Sequence, residues 1–388
     1  MDAAAAVVVG LLLGAFSGLL PGVHSNTVSS VLAGLGLEPQ ALLFMIAAVM
    51  GAHLVFQFLP AIFLSIPDDT VVTSVLPGHR LALCGRGREA LLVCASSALA
   101  AAIAASALLP FSIAFLPLAY SFIEPNMAVL LVAASAFLIA SEREWGKMAL
   151  ALFVFLLTGA LGIATMRIAI HDPLFPAFCG LFAGSGILLS FSAKRELPAQ
   201  AAVGTRLDYL PFVGLGVLLG MLSDLMPGIA APAQIAVFAS VLVSTGDARK
   251  FLALVSSIAA SHAVFAFGAL VSIGKAREGT IAIMNGVSPI MAGDLPMLVG
   301  ALLLSMGMSA FILVKLAGRV QSVAGMDSRA VSLGVLSYLL CAVAIISGGE
   351  GLLLFATASA AGLLPPLLGI RRTHVMGLII VPSILLAL

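Results

Sequence analysis

LLGAFSGLLPGVHSN, residues 12–26, reads as an apolar helix stopped at Pro21-Gly22 and followed at once by polar side chains. A near-copy, LLGMLSDLMPGIAAP, occupies residues 218–232. At one constant offset Gly14 meets Gly220, Ser17 meets Ser223, and Pro21-Gly22 meets Pro227-Gly228. Proline removes a backbone donor and clashes with the preceding turn, so a Pro-Gly pair inside an apolar run opens the helix and frees polar backbone groups. Hydrocarbon tolerates such groups only where protein or a water-filled cavity supplies partners. Two such breaks in corresponding places of two halves point to the binding site of a transporter.

Composition fixes the setting. Of 388 residues, 62% are hydrophobic and only 9% are charged, with a mean hydropathy of +1.21. That balance belongs to an all-α polytopic membrane protein seated in a lipid bilayer, not to a soluble domain. A net charge of +1 without a basic cluster excludes nucleic acid as a partner. The N-terminus, MDAAAAVVVG, lacks the basic region of a cleaved signal peptide, and its acidic start fits an N-terminus outside the cell. Cys84, Cys94, Cys179 and Cys341 show no CxxC spacing and read as small packing residues rather than metal ligands or disulfides.

Apolar segments fall at roughly 5–20, 23–37, 41–64, 90–117, 126–141, 148–166 and 174–192, then at 209–226, 229–244, 251–273, 290–317, 331–347, 351–369 and 373–388. The arms beside each Pro-Gly are shorter than the ~20 residues a spanning helix needs. A second echo, HLVFQF at 53–58 and HAVFAF at 262–267, follows each break. The chain therefore divides into a first membrane repeat at 1–191, a polar cytoplasmic linker at 192–208 and a second membrane repeat at 209–388.

Basic residues accumulate in cytoplasmic loops, so their placement tests the relative orientation of the repeats. If each repeat crosses an odd number of times, all 18 Lys and Arg except Arg167, Lys275 and Arg277 fall inside. An even count would leave nearly half of them outside. The expectation is two inverted-topology repeats, each with a Pro-Gly broken or re-entrant helical hairpin, the tips approaching the midplane from opposite faces.

His24, Ser25, Asn26 and Thr27 follow the first break directly. Polar groups at that depth need a cavity or partner helix, and the amides of a restarting helix suit a carboxylate or phosphate. His24 would add a charge sensitive to pH near neutrality. The alternative is that Ser25, Asn26 and Thr27 only cap the helix. With Pro21, Gly22, Pro227, Gly228 and Ala230 they form the candidate substrate site.

Asp224 stands before the second break where the first repeat has Gly18. An intramembrane carboxylate is a functional candidate by default, here for ion coupling by sodium or protons. A packing role for a protonated Asp224 is the competing reading. His53 and His262 recur in the two echoes, with Gln57 one turn beyond His53; they either flank the site or hydrogen-bond within the core. Asp68, Asp69, Thr70 and Thr73 lie in IPDDTVVTSVLPGHR, residues 66–80, as a cytoplasmic mouth or a solvated loop opening a helix. No P-loop, nucleophile elbow, metal-ligand spacing or paired catalytic carboxylates occur, which disfavours an ATP-driven pump or an enzyme.

With FLSIPDDTVVTSVLPGHRLALCGRGREAL at 63–91 and DPLFPAFCGLFAGSGILLS at 172–190, the sequence resembles the large permease subunit of the tripartite tricarboxylate transporters, the TctA family. FLALVSSIAASHAVFAFGALVSIGKAREG at 251–279 is similar to its shorter, mainly archaeal branch. The resemblance implies a cation-coupled carboxylate permease that works with a small membrane subunit and an extracytoplasmic binding protein. It places the site on Pro21 to Asn26 and Pro227 to Pro232. The chain departs from that pattern in having His24 after the first break and no extended acid- and asparagine-rich motif after the second. The expected function is secondary transport of a small anion by alternating access, with no cofactor beyond a coupling sodium ion or proton. A lipid-carrier translocase gripping a polyprenyl phosphate is the alternative, a membrane scaffold is a third reading, and a homo-oligomer is compatible with each.

Overall fold

The computed structural model describes residues 2–20, 23–64, 75–170, 173–190, 198–201, 207–226, 231–242, 247–317 and 328–388. Pro21, Gly22, Asp68, Asp69, Thr70, Thr73, Pro227, Gly228, Ala230 and most of the linker lie outside the described residues. Every described element is helical, and six helices are long and apolar enough to cross a membrane.

The first half runs α1 (Ala3–Leu19), α2 (Ser25–Ala33), α3 (Pro39–Phe56), α4 (Phe58–Phe63), α5 (Val75–Leu83), α6 (Gly87–Ile123), α7 (Met127–Ala140), α8 (Trp145–Arg167), α9 (Leu174–Phe178) and α10 (Ser185–Ser190). The second runs α11 (Leu210–Ser223), α12 (Ala231–Leu242), α13 (Ala248–Ile273), α14 (Gly279–Val287), α15 (Leu295–Ala317), α16 (Ser328–Leu368) and α17 (Gly377–Ala387). Three elements go beyond the apolar segments of the sequence. α6 spans 37 residues and carries Pro110 and Pro117 within it, and short helices α5 and α14 follow the two His-bearing helices. Charged and Pro-rich stretches hide such helices from a hydropathy reading, although Glu278 at the head of α14 accepts bonds from the Thr280 and Ile281 amides in ordinary N-cap fashion.

Glycine decides how α1 sits on α3. A Cβ on Gly14 would come within 2.8 Å of Ala52, and one on Gly18 within 2.8 Å of Phe56. With Gly10 facing Met45 and Ala48, contacts advance together along both helices, so α1 and α3 run in the same direction. The chain must therefore return between them through α2, whose 9 residues cover only about 13 Å. α11 repeats the arrangement on α13: Gly216 meets Leu254 and Ser257, and Gly220 meets Ile258 and His262. In lipid, where no hydrophobic force draws helices together, such close backbone approach supplies the packing energy.

Contacts between the halves exchange in pairs. Ser305 of α15 donates to the Ala48 carbonyl of α3 at 2.6 Å, and Ser257 of α13 donates to the Ser97 carbonyl of α6 at 3.3 Å. Gly377 of α17 packs on Phe155 of α8, while Gly180, in the π-helical turn Cys179–Gly184, packs on Phe355 of α16. Gly162 meets Leu378, and Gly362 meets Leu181. α16 itself bends at Gly348, φ 66°, into two arms, as α7 and α8 turn at Arg143, φ 61°.

Two larger cores result. One joins α1, α3, α6, α11, α13 and α15. The other joins α7, α8, α9, α12, α16 and α17. The first holds the candidate site.

Candidate functional site

α2 begins at Ser25, with His24 at its N-cap position but no side-chain capping bond there. Ser25, Asn26 and Thr27 are thus the first residues of the restarted helix rather than its cap. They meet the opposite half: Thr280 of α14 hydrogen-bonds Asn26 Oδ1 at 2.7 Å and lies 3.3 Å from the Ser25 hydroxyl. Gly279 makes this contact feasible, since a Cβ there would come within 2.7 Å of the Asn26 amide.

Behind this junction lies a cavity of about 30 Å³, room for a few waters at most. Its walls are His24, Ser25 and Asn26 from α2 and its N-cap, Met50, His53 and Leu54 from α3, Ala259, His262 and Ala263 from α13, and Glu278. Both halves build it. His24 and His53 stand with ring centroids 6.2 Å apart.

The two matching histidines have different partners. His53 Nδ1 is hydrogen-bonded to Ser17 Oγ at 2.9 Å. Ser17 Oγ also lies 3.0 Å from the Gly14 carbonyl, and a hydroxyl that donates there accepts from an Nδ1–H tautomer of His53. His262 Nδ1 instead lies 3.2 Å from Asp224 Oδ1. That contact lacks hydrogen-bond alignment, so both Asp224 oxygens and His262 Nδ1 are buried without a hydrogen-bond partner among the described residues. Asp224 is fully buried. A carboxylate in such surroundings costs several kcal/mol unless it is neutralised or liganded. Arg277 anchors the end of α11 by donating from Nε to the Asp224 carbonyl at 2.9 Å, and its guanidinium lies 5.4 Å from the Tyr120 ring centroid.

Of the sequence candidates, His24, Ser25, Asn26, His53 and His262 thus meet in one cavity, with Asp224 immediately behind His262. Thr27 does not line the cavity. Gln57 is buried elsewhere, at the junction of α3 and α4, where its Nε2 donates to the Leu54 carbonyl at 3.3 Å. Arg277, Glu278 and Thr280 were visible in the sequence only as a charged outer loop. The Glu-Gly-Thr run that starts a helix there was the available signal.

A polytopic helical membrane protein whose two halves jointly enclose a polar cavity has the architecture of a membrane transporter. The chain belongs to the tripartite tricarboxylate transporter TctA family, which it matches over residues 5–377. That family is the large subunit of a tripartite transporter. An uncharacterized protein of Methanocaldococcus jannaschii is 25% identical, with the alignment covering 98% of this chain and 97% of the relative. No solved structure matches the chain.

Proposed function

We propose that this chain is the permease of a cation-coupled uptake system for a small organic anion, a di- or tricarboxylate, held between the tips of two opposed hairpins. The observation that carries the reading is the cavity walled by His24, His53 and His262, with the start of α2 at its edge. Helix amides and imidazoles both favour an anion there. Glu278 in the same wall suits exchange better than permanent capture. A cavity of about 30 Å³ is far too small for citrate, so the tips must part to admit it.

Several observations support re-entrant hairpins in inverted repeats. α1 and α3 run the same way, α2 is too short to cross, the contacts between halves exchange in pairs, and the basic residues sort to one side only when each half crosses an odd number of times. Alternating access then moves one bundle against the other around the tips. A small membrane subunit and an extracytoplasmic binding protein are the partners the family suggests. The lipid-carrier alternative has no observation in its favour.

Citrate uptake into proteoliposomes under a sodium or proton gradient tests the proposal. Saturable uptake should appear, and Asn26→Ala should reduce it by about tenfold, the cost of one lost polar contact at a buried site. Absence of gradient-dependent uptake for every di- and tricarboxylate tried would remove the reading.

A further inference from the structure

The two matching histidines face different chemistry, because Asp224 stands where the first half has Gly18. His53 Nδ1 is hydrogen-bonded to Ser17 Oγ, whereas His262 Nδ1 faces the carboxylate of Asp224, whose oxygens have no hydrogen bond among the described residues. The His262 ring also lines the tip cavity. It therefore separates the cavity from a fully buried carboxylate.

We infer that Asp224 and His262 form the proton-binding site of this chain, loaded from the tip cavity through the His262 ring, so that the coupling ion is a proton rather than sodium. A proton from cavity water adds to His262 Nε2. Once a rotation of the ring or carboxyl brings the 3.2 Å Nδ1···Oδ1 contact into line, the ring passes its Nδ1 proton to Asp224 Oδ1, leaving a neutral imidazole and a neutral carboxyl. The net change is one proton gained by Asp224, and reversal releases it.

The donor set favours a proton. Sodium, a hard cation, wants several oxygens around it. Here the nearest described partner of the carboxylate is an imidazole nitrogen, and the Arg277 guanidinium is bonded to the carbonyl of the same residue.

The charged and titratable groups facing the pair come from several elements. Arg277 and Glu278 lie in the turn before α14, His53 on α3 and His24 at the start of α2. From α6 comes Tyr120, beneath Arg277 and Lys275 and bonded to Glu124. α5 brings His79 and Arg80 to the far, Leu252 end of α13, and the described parts of α11 and α12 carry no charge.

The role of this proton in transport rests on the permease reading; its presence on Asp224 does not. The test is an infrared difference spectrum of the full chain in proteoliposomes, recorded between acidic and alkaline buffer, beside citrate uptake in the same vesicles. A protonated-carboxyl band should appear in the wild type, vanish in Asp224→Asn, return at a shifted frequency in Asp224→Glu, and move its pH midpoint in His262→Gln. If Asp224→Asn does not fold, the Glu variant decides by whether the band shifts. A band unchanged in the Asn or Glu variant, or one abolished by sodium at constant pH, overturns the inference. Citrate uptake without an Asp224 band refutes the proton site alone, and a band without uptake of any carboxylate refutes the permease reading alone.

Discussion

Gly162 and Gly362 are the residues on which the far ends of the two halves close. Each faces a backbone carbonyl of a helix from the other half, Leu378 and Leu181 respectively. A carbonyl cannot rotate aside as a side chain can, so the added methyl of Gly162→Ala or Gly362→Ala forces the helices apart. Overpacking of this kind costs about 1–3 kcal/mol. Gly300 and Gly307 on α15 have open space where a Cβ would go. Substituting them with Ala should leave stability level or raise it slightly by improving helix propensity. Thermal unfolding of the four purified variants in detergent checks this, and equal melting temperatures throughout would contradict the packing account.

Among the elements, α16 shows how one backbone position divides a long apolar run. Gly348 sits at φ 66° and ψ −161°, outside helical space, in a run of 41 residues that would otherwise measure about 60 Å, twice the hydrocarbon thickness. A Cβ at this position is unfavourable by about 1–3 kcal/mol. Gly348→Ala should therefore lower the melting temperature, and proteolysis of the variant should show whether the turn between its arms has loosened. Between α7 and α8 the turn is made instead by Arg143, a non-glycine residue at φ 61°.

The elements were largely legible in the sequence because hydropathy and the Pro-Gly breaks are local signals. The apolar segments at 331–347 and 351–369 mark the two arms of α16. α14 was missed because nine residues behind a charged turn are too few to register as an apolar segment, and α5 was legible only as a helix opened by the loop at 66–80. The cavity was half legible. His24, Asn26, His53 and His262 stood out as polar residues in apolar surroundings, but their convergence depends on α14 docking against α2, a contact between residues 254 positions apart. No periodicity encodes such a pairing. The sequence likewise gave no sign that His262 rather than a second carboxylate would accompany Asp224, since a helix echo does not reveal which faces meet.

For the whole molecule, the proposed inverted arrangement makes a directional statement. The turn between α5 and α6, which carries the exposed Cys84, and the turn between α13 and α14 should open to opposite sides of the membrane. In a variant with Cys341 replaced, a membrane-impermeant thiol reagent should label Cys84 only after the cytoplasmic side is exposed. Lys275→Cys, in a background lacking Cys84, should label in intact cells. Labelling of both positions from the same side would exclude the arrangement.

The exchange of closing helices also bears on how the chain is made. α9 and α10 complete the first half in sequence, yet the surface they pack on is the second arm of α16, and α8 waits for α17, which follows α16. The first half thus leaves the ribosome with α8, α9 and α10 lacking these partners and cannot finish folding until α16 and α17 emerge. Truncation after residue 376 should strand α8 as surely as it removes α17, and two separately expressed halves should each be degraded alone yet persist together.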